Sequence, residues 1–477
     1  MTHLKRLLPL VTIYIAFAQS AAAVPISSTQ QDIQQTNITV YNSGRGLVTE
    51  QRSLTLPAGE VELRYMDVPQ RIMAQTVSIR ALSNPDAFHV LEQNYEFDLL
   101  TPQKLLEKYV GQDVTLVFKR MQDNSTVIER KTGRLLSTNS GTVWNIDGAI
   151  AINPQYTGLE FPSVPENLIA QPTLVWLLNN KAEGKRSIEA SYLTTGISWN
   201  ADYVLTLDNE GKRGNLLGWV TIDNSSGATY RDARLQLIAG DVHQVSSRMD
   251  YAAKRSAVAG LAMEEAPSFE EKSFFEYHLY TLQRPATIKD NQQKQVTLLE
   301  AATIPVKRSY ELTGQQWFYS QLYRSGDEKE KVSVVLQLRN DKQNNMGIPL
   351  PKGIVRVYST DSDGSKQFVG EDQIDHTPKD ETLKLHMGKA FDVVAERKQT
   401  DWRKLGSSLY ESEYEIKIRN HKDEAIVVTV REPIGGDWTM LSHSHEYTKT
   451  GAFNAEFAVP VEKDGESVLT YRVRVRY

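Results

Sequence analysis

Leu469-Thr470-Tyr471-Arg472-Val473-Arg474-Val475-Arg476-Tyr477 alternates apolar or aromatic side chains with polar ones without a break. Successive side chains on an extended backbone point to opposite faces, so this run reads as a strand with one face in a core and the other in water. The same period of two recurs along most of the chain. Val61, Leu63 and Tyr65 alternate with Glu62 and Arg64, and Val77, Ile79 and Ala81 alternate with Ser78 and Arg80. Further on, Tyr203, Leu205 and Leu207 share a face, as do Val332, Val334, Leu336 and Leu338, and Ile426, Val428 and Val430. Asp208-Asn209-Glu210-Gly211 and Asp223-Asn224-Ser225-Ser226-Gly227 follow two such strands, and turn residues of this kind predict hairpins at both places. The expected fold is mainly β, built of antiparallel β-sandwich modules.

One short helix is expected, in the N-terminal module. Thr101 supplies an N-cap, Pro102 suits the first helical position, Leu105, Leu106, Tyr109 and Val110 give the apolar stripe, and Gly111 ends it. The Ala-, Lys- and Glu-rich stretch from Arg248 to Glu265 carries mostly small apolar residues and is interrupted by Gly260. Little there offsets the entropy of ordering, so a mobile insertion near 245–272 is expected. A Pro-rich stretch, Phe161-Pro162-Ser163-Val164-Pro165 with Pro172 beyond it, closes a first module, and the charged run Asp327-Glu328-Lys329-Glu330-Lys331 opens the last. The expected modules are 36–184, carrying the helix, 185–326, carrying the insertion, and 327–477.

The chain has 477 residues, enough for roughly two to four domains. With no cysteine, it has no disulfide framework, thiolate zinc site, iron–sulfur cluster or thiol nucleophile. The formal charge of −5 is small for this length, which gives nucleic-acid or anionic-membrane binding no electrostatic support. Lys5 and Arg6 precede an apolar run from Leu7 to Phe17, then Gln19, Ser20 and Ala21-Ala22-Ala23. That order is a secretory signal, with cleavage expected after residue 23 and Val24 as the new N-terminus. The run contains Pro9 and is too short to cross ~30 Å of hydrocarbon, so no transmembrane segment is expected after cleavage. A secreted chain without disulfides fits the bacterial periplasm or cell surface.

The segment from Tyr41-Asn42 to Arg52, then Leu56-Pro57-Ala58-Gly59 and Asp67-Val68-Pro69, resembles the opening of a bacterial family catalogued as a domain of unknown function. Its better-known relatives are mucoidy-inhibitor-like proteins, some with a separate N-terminal domain that this chain is expected to lack. The resemblance continues from Leu91 to Leu100, from Tyr192 to Tyr203 around Trp199, and through Phe274-Phe275-Glu276-Tyr277-His278-Leu279-Tyr280. It implies a β-rich envelope protein and brings no reaction, cofactor or catalytic residues.

Several residue sets invite a chemical reading. Gly196-Ile197-Ser198-Trp199-Asn200 approaches a serine-hydrolase elbow but lacks the second glycine, and Trp199 reads better as a plug between sheets. His443 and His445 would share one strand face and could hold a metal with help from His421 or Glu446; histidines in a loop are the plainer reading. Asp361, Asp363, Glu371, Asp372 and Asp375 suggest calcium, yet Gly364 sits two places early for an EF-hand, and Asp363-Gly364 reads better as a hairpin turn. Glu92, Glu96 and Asp98 lie on one stretch, where two acids on a single strand face point the same way and do not flank a glycosidic bond; a sheet-rim role, or a loop role before the Thr101 helix, is expected. Arg472, Arg474 and Arg476 form a basic stripe, expected as a solvated face or a charged edge. No catalytic residue, cofactor or metal ligand is therefore assigned. The expectation is a binding or structural protein of the cell envelope, with an envelope protein or surface glycan as partner. The alternative is a hydrolase of envelope polysaccharide or peptide, its residues brought together from distant segments. The 21 Tyr and 7 Trp supply aromatic faces suited to binding.

Overall fold

The computed structural model describes residues 23–122, 125–165, 168–240, 269–323 and 329–477. The expected leader, up to residue 22, and the insertion, up to residue 268, lie outside the described residues. The end of the insertion does not: Phe269–Phe274 is a strand paired with Tyr277–Leu282, so residues 269–272 belong to a hairpin. The described chain is mainly β with one α-helix, as the period-two pattern predicts. It forms two compact units. Unit one holds the chain up to Ile38, Leu47–Gly196 and Ser225–Ala233; unit two holds Thr39–Gly46, Ile197–Asn224 and Arg234–Tyr477.

In unit one, Val24–Ser28, Gly59–Met66, Thr173–Asn180 and Phe88–Glu96 form a sheet in that order, the first pair parallel and the others antiparallel. Thr173–Asn180 is buried along most of its length, so its TLVWLLNN sequence is a continuous apolar run that shows no alternation. The helix is Pro102–Lys108. The Thr101 hydroxyl accepts the Lys104 amide at 3.1 Å, and Gly111 takes the left-handed φ of +85° just past its end. Its Leu105, Leu106 and Tyr109 pack on Leu116, Leu135 and Trp144 of a five-stranded antiparallel sheet spanning Asp113–Glu160. Asp98 is not on a strand face; it ties down the helix through Lys108 at 3.2 Å and Lys104 at 3.7 Å.

In unit two, a five-stranded sheet has the order Gln292–Pro305, Arg213–Asn224, Ile197–Leu207, Gly353–Thr360, Lys366–Ile374. The Asp208–Gly211 hairpin forms as expected, joining Ile197–Leu207 to Arg213–Asn224. The 223–227 cluster does not make a hairpin: Tyr230–Ala239, the next strand, belongs to another sheet and pairs there with Tyr277–Leu282. Trp199 is buried in Ile197–Leu207, donates to the Ile238 carbonyl at 3.2 Å and meets Tyr280 edge-on, as a plug between sheets should. Ser198, on the same strand, is on no sharp turn.

The second sheet of unit two has nine described strands, in the order Asp437–His443, Gly465–Arg476, Leu409–Asn420, Thr382–Lys404, Glu330–Arg339, Lys307–Thr313, Ile426–Pro433, Asn454–Val461, Tyr447–Lys449. It folds over on itself. Phe457, near one end of that order, stacks on Tyr471, near the other, with ring centroids 5.3 Å apart, and one apolar cluster fills the space between. Two expectations change here. Glu330–Arg339 buries Val335 as well as Val332, Leu336 and Leu338, so it is covered on both faces. Gly465–Arg476 lies between two other strands and is no sheet edge.

Candidate functional site

Within the folded-over sheet of unit two, the inward face of Ile426–Pro433 reads Val428, Val430, Glu432 and that of Thr382–Lys404 reads Val393, Ala395, Arg397. Apolar neighbours thus carry a glutamate and an arginine into the core. Both side chains are fully buried, and Arg397 Nη1 donates to Glu432 Oε1 at 2.6 Å while its Nε donates to Glu330 at 3.0 Å. Burial alone would lower the Arg397 pKa; the charge of Glu432, then Tyr471 and Glu330, holds it well above the ordinary value, so the guanidinium stays ionised. Further hydrogen bonds offset the cost of burying such a pair, and the remaining Glu432 oxygen accepts the Tyr319 hydroxyl at 2.6 Å. Tyr319 in turn touches the Tyr471 hydroxyl at 3.0 Å. Burial, followed by the Glu432 charge, raises both phenols well above their usual pKa.

This network anchors a strap, residues 314–323. Its 3-10 turn Gln316–Tyr319 turns Phe318 and Tyr319 inward and leaves Trp317 44% exposed. The Phe318 carbonyl accepts the Tyr414 hydroxyl at 2.6 Å and the Gln399 amide at 3.3 Å, and the Gln399 oxygen accepts the Tyr323 amide at 2.8 Å. A side chain at Gly314 would strike Glu432 Oε2, so glycine is needed where the strap crosses the carboxylate. Trp317 stands edge-on to Phe318 at 4.7 Å and to Tyr323 at 5.7 Å. A second row of rings, Trp402, Tyr410 and Tyr477, has centroid spacings of 6.0 and 5.9 Å, and the Tyr477 phenol, whose pKa burial raises, has Ser320 of the strap as a neighbour. Lys404 lies over Tyr410, and Leu405 and Leu322 are exposed nearby in sequence. Trp317 and Tyr477 are the most open of these rings, and Trp402 and Tyr410 are half-buried.

The residue sets singled out by sequence lie elsewhere. His443 Nδ1 faces the His445 carbonyl at 3.0 Å, His445 faces the Ser444 hydroxyl, and His421 faces Asp464 at 3.8 Å; no group of three metal-binding side chains occurs among the described residues. Asp361 accepts the amides of Asp363 and Ser365, and Gly364 has φ +86°, which makes the segment the expected hairpin turn. Asp363 has a carboxyl pKa lowered to about 2 by its hydrogen bond with Asp361 and by those from Ser365. Glu371 pairs with Arg356 and Asp372 with His386, so these acids do not converge. Two of the three arginines of the stripe are neutralised: Arg472 meets Asp401, Glu411 and Glu413 at 2.7 to 3.0 Å, and Arg474 meets Glu411.

In unit one a polar pocket of about 240 Å³ is bordered by Glu50, Asp67 and Asp232. Glu50 is itself engaged by Arg52 at 2.7 Å, Tyr65 at 3.0 Å and Tyr192 at 3.2 Å, and Asp67 accepts the Gln30 amide at 2.9 Å. A carboxylate whose oxygens already accept from an arginine and two phenols is poorly placed to reach the proton of a bound substrate.

Sequence reading missed the strap and its network. The available signal was local: Gly314-Gln315-Gln316-Trp317-Phe318-Tyr319 places three consecutive aromatics, with no alternation, among strands that alternate. Residues 188–437 match the family model described as Domain of unknown function (DUF4139). The strap, Arg397, Trp402, Tyr410 and Glu432 fall inside the match; Tyr471 and Tyr477 fall beyond it. No curated protein matches the chain.

Proposed function

The chain belongs to the family of the domain of unknown function DUF4139, and from that premise we propose that it is a secreted, non-enzymatic protein of the bacterial cell envelope that binds surface glycan. One observation carries this reading: Trp317 stands exposed on a strap anchored by a buried ionic network, and the contacting rings of Trp402, Tyr410 and Tyr477 neighbour that strap at Ser320. Ring faces are negative and attract the positively polarised C–H groups of a sugar, while Lys404 and Ser320 at the rim supply donors and an acceptor for its hydroxyls. Conversely, the buried Glu50 and Glu432 and the half-screened Glu411 are all engaged by arginine. The order of Lys5, Arg6, the apolar run and Ala21-Ala22-Ala23 supports export.

The test is binding of purified envelope polysaccharides to the wild-type protein and to Trp317→Ala with Tyr477→Ala. Retention of wild type and at least tenfold weaker retention of the double variant is expected. Equal retention of both, or capture of an envelope protein with no glycan bound, overturns the glycan reading. Turnover of polysaccharide or peptide, abolished by Glu50→Gln at the polar pocket of unit one, would make the protein a hydrolase instead.

A further inference from the structure

Away from these aromatic rings, unit two contains a cavity of about 190 Å³ between its five-stranded and nine-stranded sheets. Its floor is two cross-strand pairs of the nine-stranded sheet, Arg308 opposite Leu336 and Tyr310 opposite Val334. Leu207 and Val369 of the five-stranded sheet form the opposite wall. The lip is a bulge. Lys331 pairs with Val394 but Ser333 with Lys389, so the partner strand carries extra residues there, and Phe391 is 95% exposed at the mouth. Met387, a flexible side chain that can reshape to an occupant, completes the wall.

Two cations border this apolar space. Arg308 and Lys422 make no ion pair among the described residues, whereas most arginines of unit two are paired with carboxylates. Asp392 also borders the cavity without an ion pair, which leaves a net charge of +1. Arg308 is positioned and not adrift: its guanidinium lies against the bare backbone of Gly211, in the Asp208–Gly211 turn, where any Cβ would collide with Nη2. The cavity wall is otherwise largely apolar, its neutral polar groups being the Ser359 and Tyr310 hydroxyls, too few to match the repeated N–H and C=O groups of a bound peptide backbone. An acyl chain has none to match.

We propose that this cavity binds the anionic end of an acyl chain, with the carboxylate at Arg308 and Lys422 and the first methylenes among Leu207, Leu336 and Val334. At ~30 Å³ per small group, the volume takes roughly six non-hydrogen atoms. This inference does not rest on the glycan reading, whose residues it does not share.

Calorimetric titration of the purified protein with octanoate tests it, against acetate, butanoate, octylamine and N-acetyl-alanyl-leucine. Octanoate binds one to one; affinity rises about fourfold per methylene from acetate to butanoate, which fills the cavity, and levels off from there to octanoate; octylamine binds at least tenfold more weakly than octanoate; and Arg308→Ala, at an exposed position, weakens octanoate at least tenfold while leaving the fold intact by circular dichroism. Ala390→Phe, which fills the mouth, abolishes binding; should that variant unfold, the chain-length and charge series decide. Absence of octanoate binding, equal binding of octylamine, indifference to Arg308→Ala, or tighter binding of the dipeptide each overturns the proposal.

Discussion

Glu50 and Arg52 of unit one stand two residues apart on the same face of one strand, whereas Glu432 and Arg397 of unit two come from strands 35 residues apart in the chain. In both places a buried carboxylate binds one arginine and accepts from tyrosine. The difference lies in what else is held. Every guanidinium nitrogen of Arg52 is engaged, by Glu50 or by Ser28, and the group lies 3.5 Å over the Tyr65 ring. That cluster joins strands already packed together and positions nothing beyond them. Arg397 leaves Nη2 without a protein partner among the described residues, yet its network reaches the strap through Tyr319 and so sets where Trp317 stands. A local ion pair stiffens a sheet, while a long-range one also fixes a surface.

Alkali separates the two units by the largest margin. Burial raises Tyr65 and Tyr192 of unit one, and Tyr203, Tyr280, Tyr319, Tyr414 and Tyr471 of unit two, the most deeply buried phenols, above the usual value of 10.0, and to a lesser degree the half-buried Tyr95 of unit one and Tyr41 and Tyr477 of unit two. A raised pKa means that the folded state keeps protons the unfolded chain gives up. The associated stability is complete below pH 10 and falls as pH rises beyond it. At ~1.4 kcal/mol per pH unit for each deeply buried phenol, two give a slope of about 3 and five a slope of about 7. Native-state hydrogen exchange of peptides from each unit, between pH 9 and 11, should show the steeper loss in unit two. One common slope would mean that the units open together, and the comparison would fail.

Removing the carboxylates comes next. Glu50→Ala leaves Arg52 buried with no anion in contact and should cost about 3–5 kcal/mol in denaturant unfolding. Glu432→Ala leaves Arg397 with Glu330 at 3.0 Å, so the charge is not abandoned, and the cost should be nearer 2–3 kcal/mol. A larger loss for Glu432→Ala would show that Glu330, which is partly solvated, does not share the charge.

These two clusters also mark how far the sequence could be read. Alternation reveals that Glu50 and Arg52 sit on the apolar face of Val48, Leu54 and Leu56, and that Glu432 follows Val428 and Val430 on theirs. A charge in an apolar register must find a partner, and for Glu50 the partner is two residues away and legible. For Glu432 it is not, because the pairing depends on which strands become neighbours when the sheet folds over, and period-two patterns carry no such information. The helix at Pro102–Lys108 and the Asp363-Gly364 turn were legible because caps and turns are local chemistry. The crossing at 223–227 was misread for the same reason: its turn residues bend the chain equally well toward a neighbouring strand or toward another sheet. The row of rings was beyond reach, since Trp402 and Tyr410 come from two neighbouring strands and Tyr477 joins them only through long-range topology.

The smallest change isolates the strap. Tyr65→Phe and Tyr319→Phe each remove one hydroxyl donor to a buried carboxylate that keeps its arginine, and each should cost about 1.5 kcal/mol. Stability therefore cannot tell them apart, but position can. Tyr319 lies two residues from Trp317 on the strap, whereas Tyr65 lies on Gly59–Met66 of unit one. With 5-fluorotryptophan incorporated, the ¹⁹F resonance assigned to Trp317 through Trp317→Phe should shift and broaden in Tyr319→Phe and stay unchanged in Tyr65→Phe. Glycan retention should weaken in parallel with that resonance. If Trp317 keeps its environment when the Tyr319 hydroxyl is gone, the Phe318 carbonyl bonds to Tyr414 and Gln399 are sufficient to hold the strap, and the buried charge pair serves the core alone.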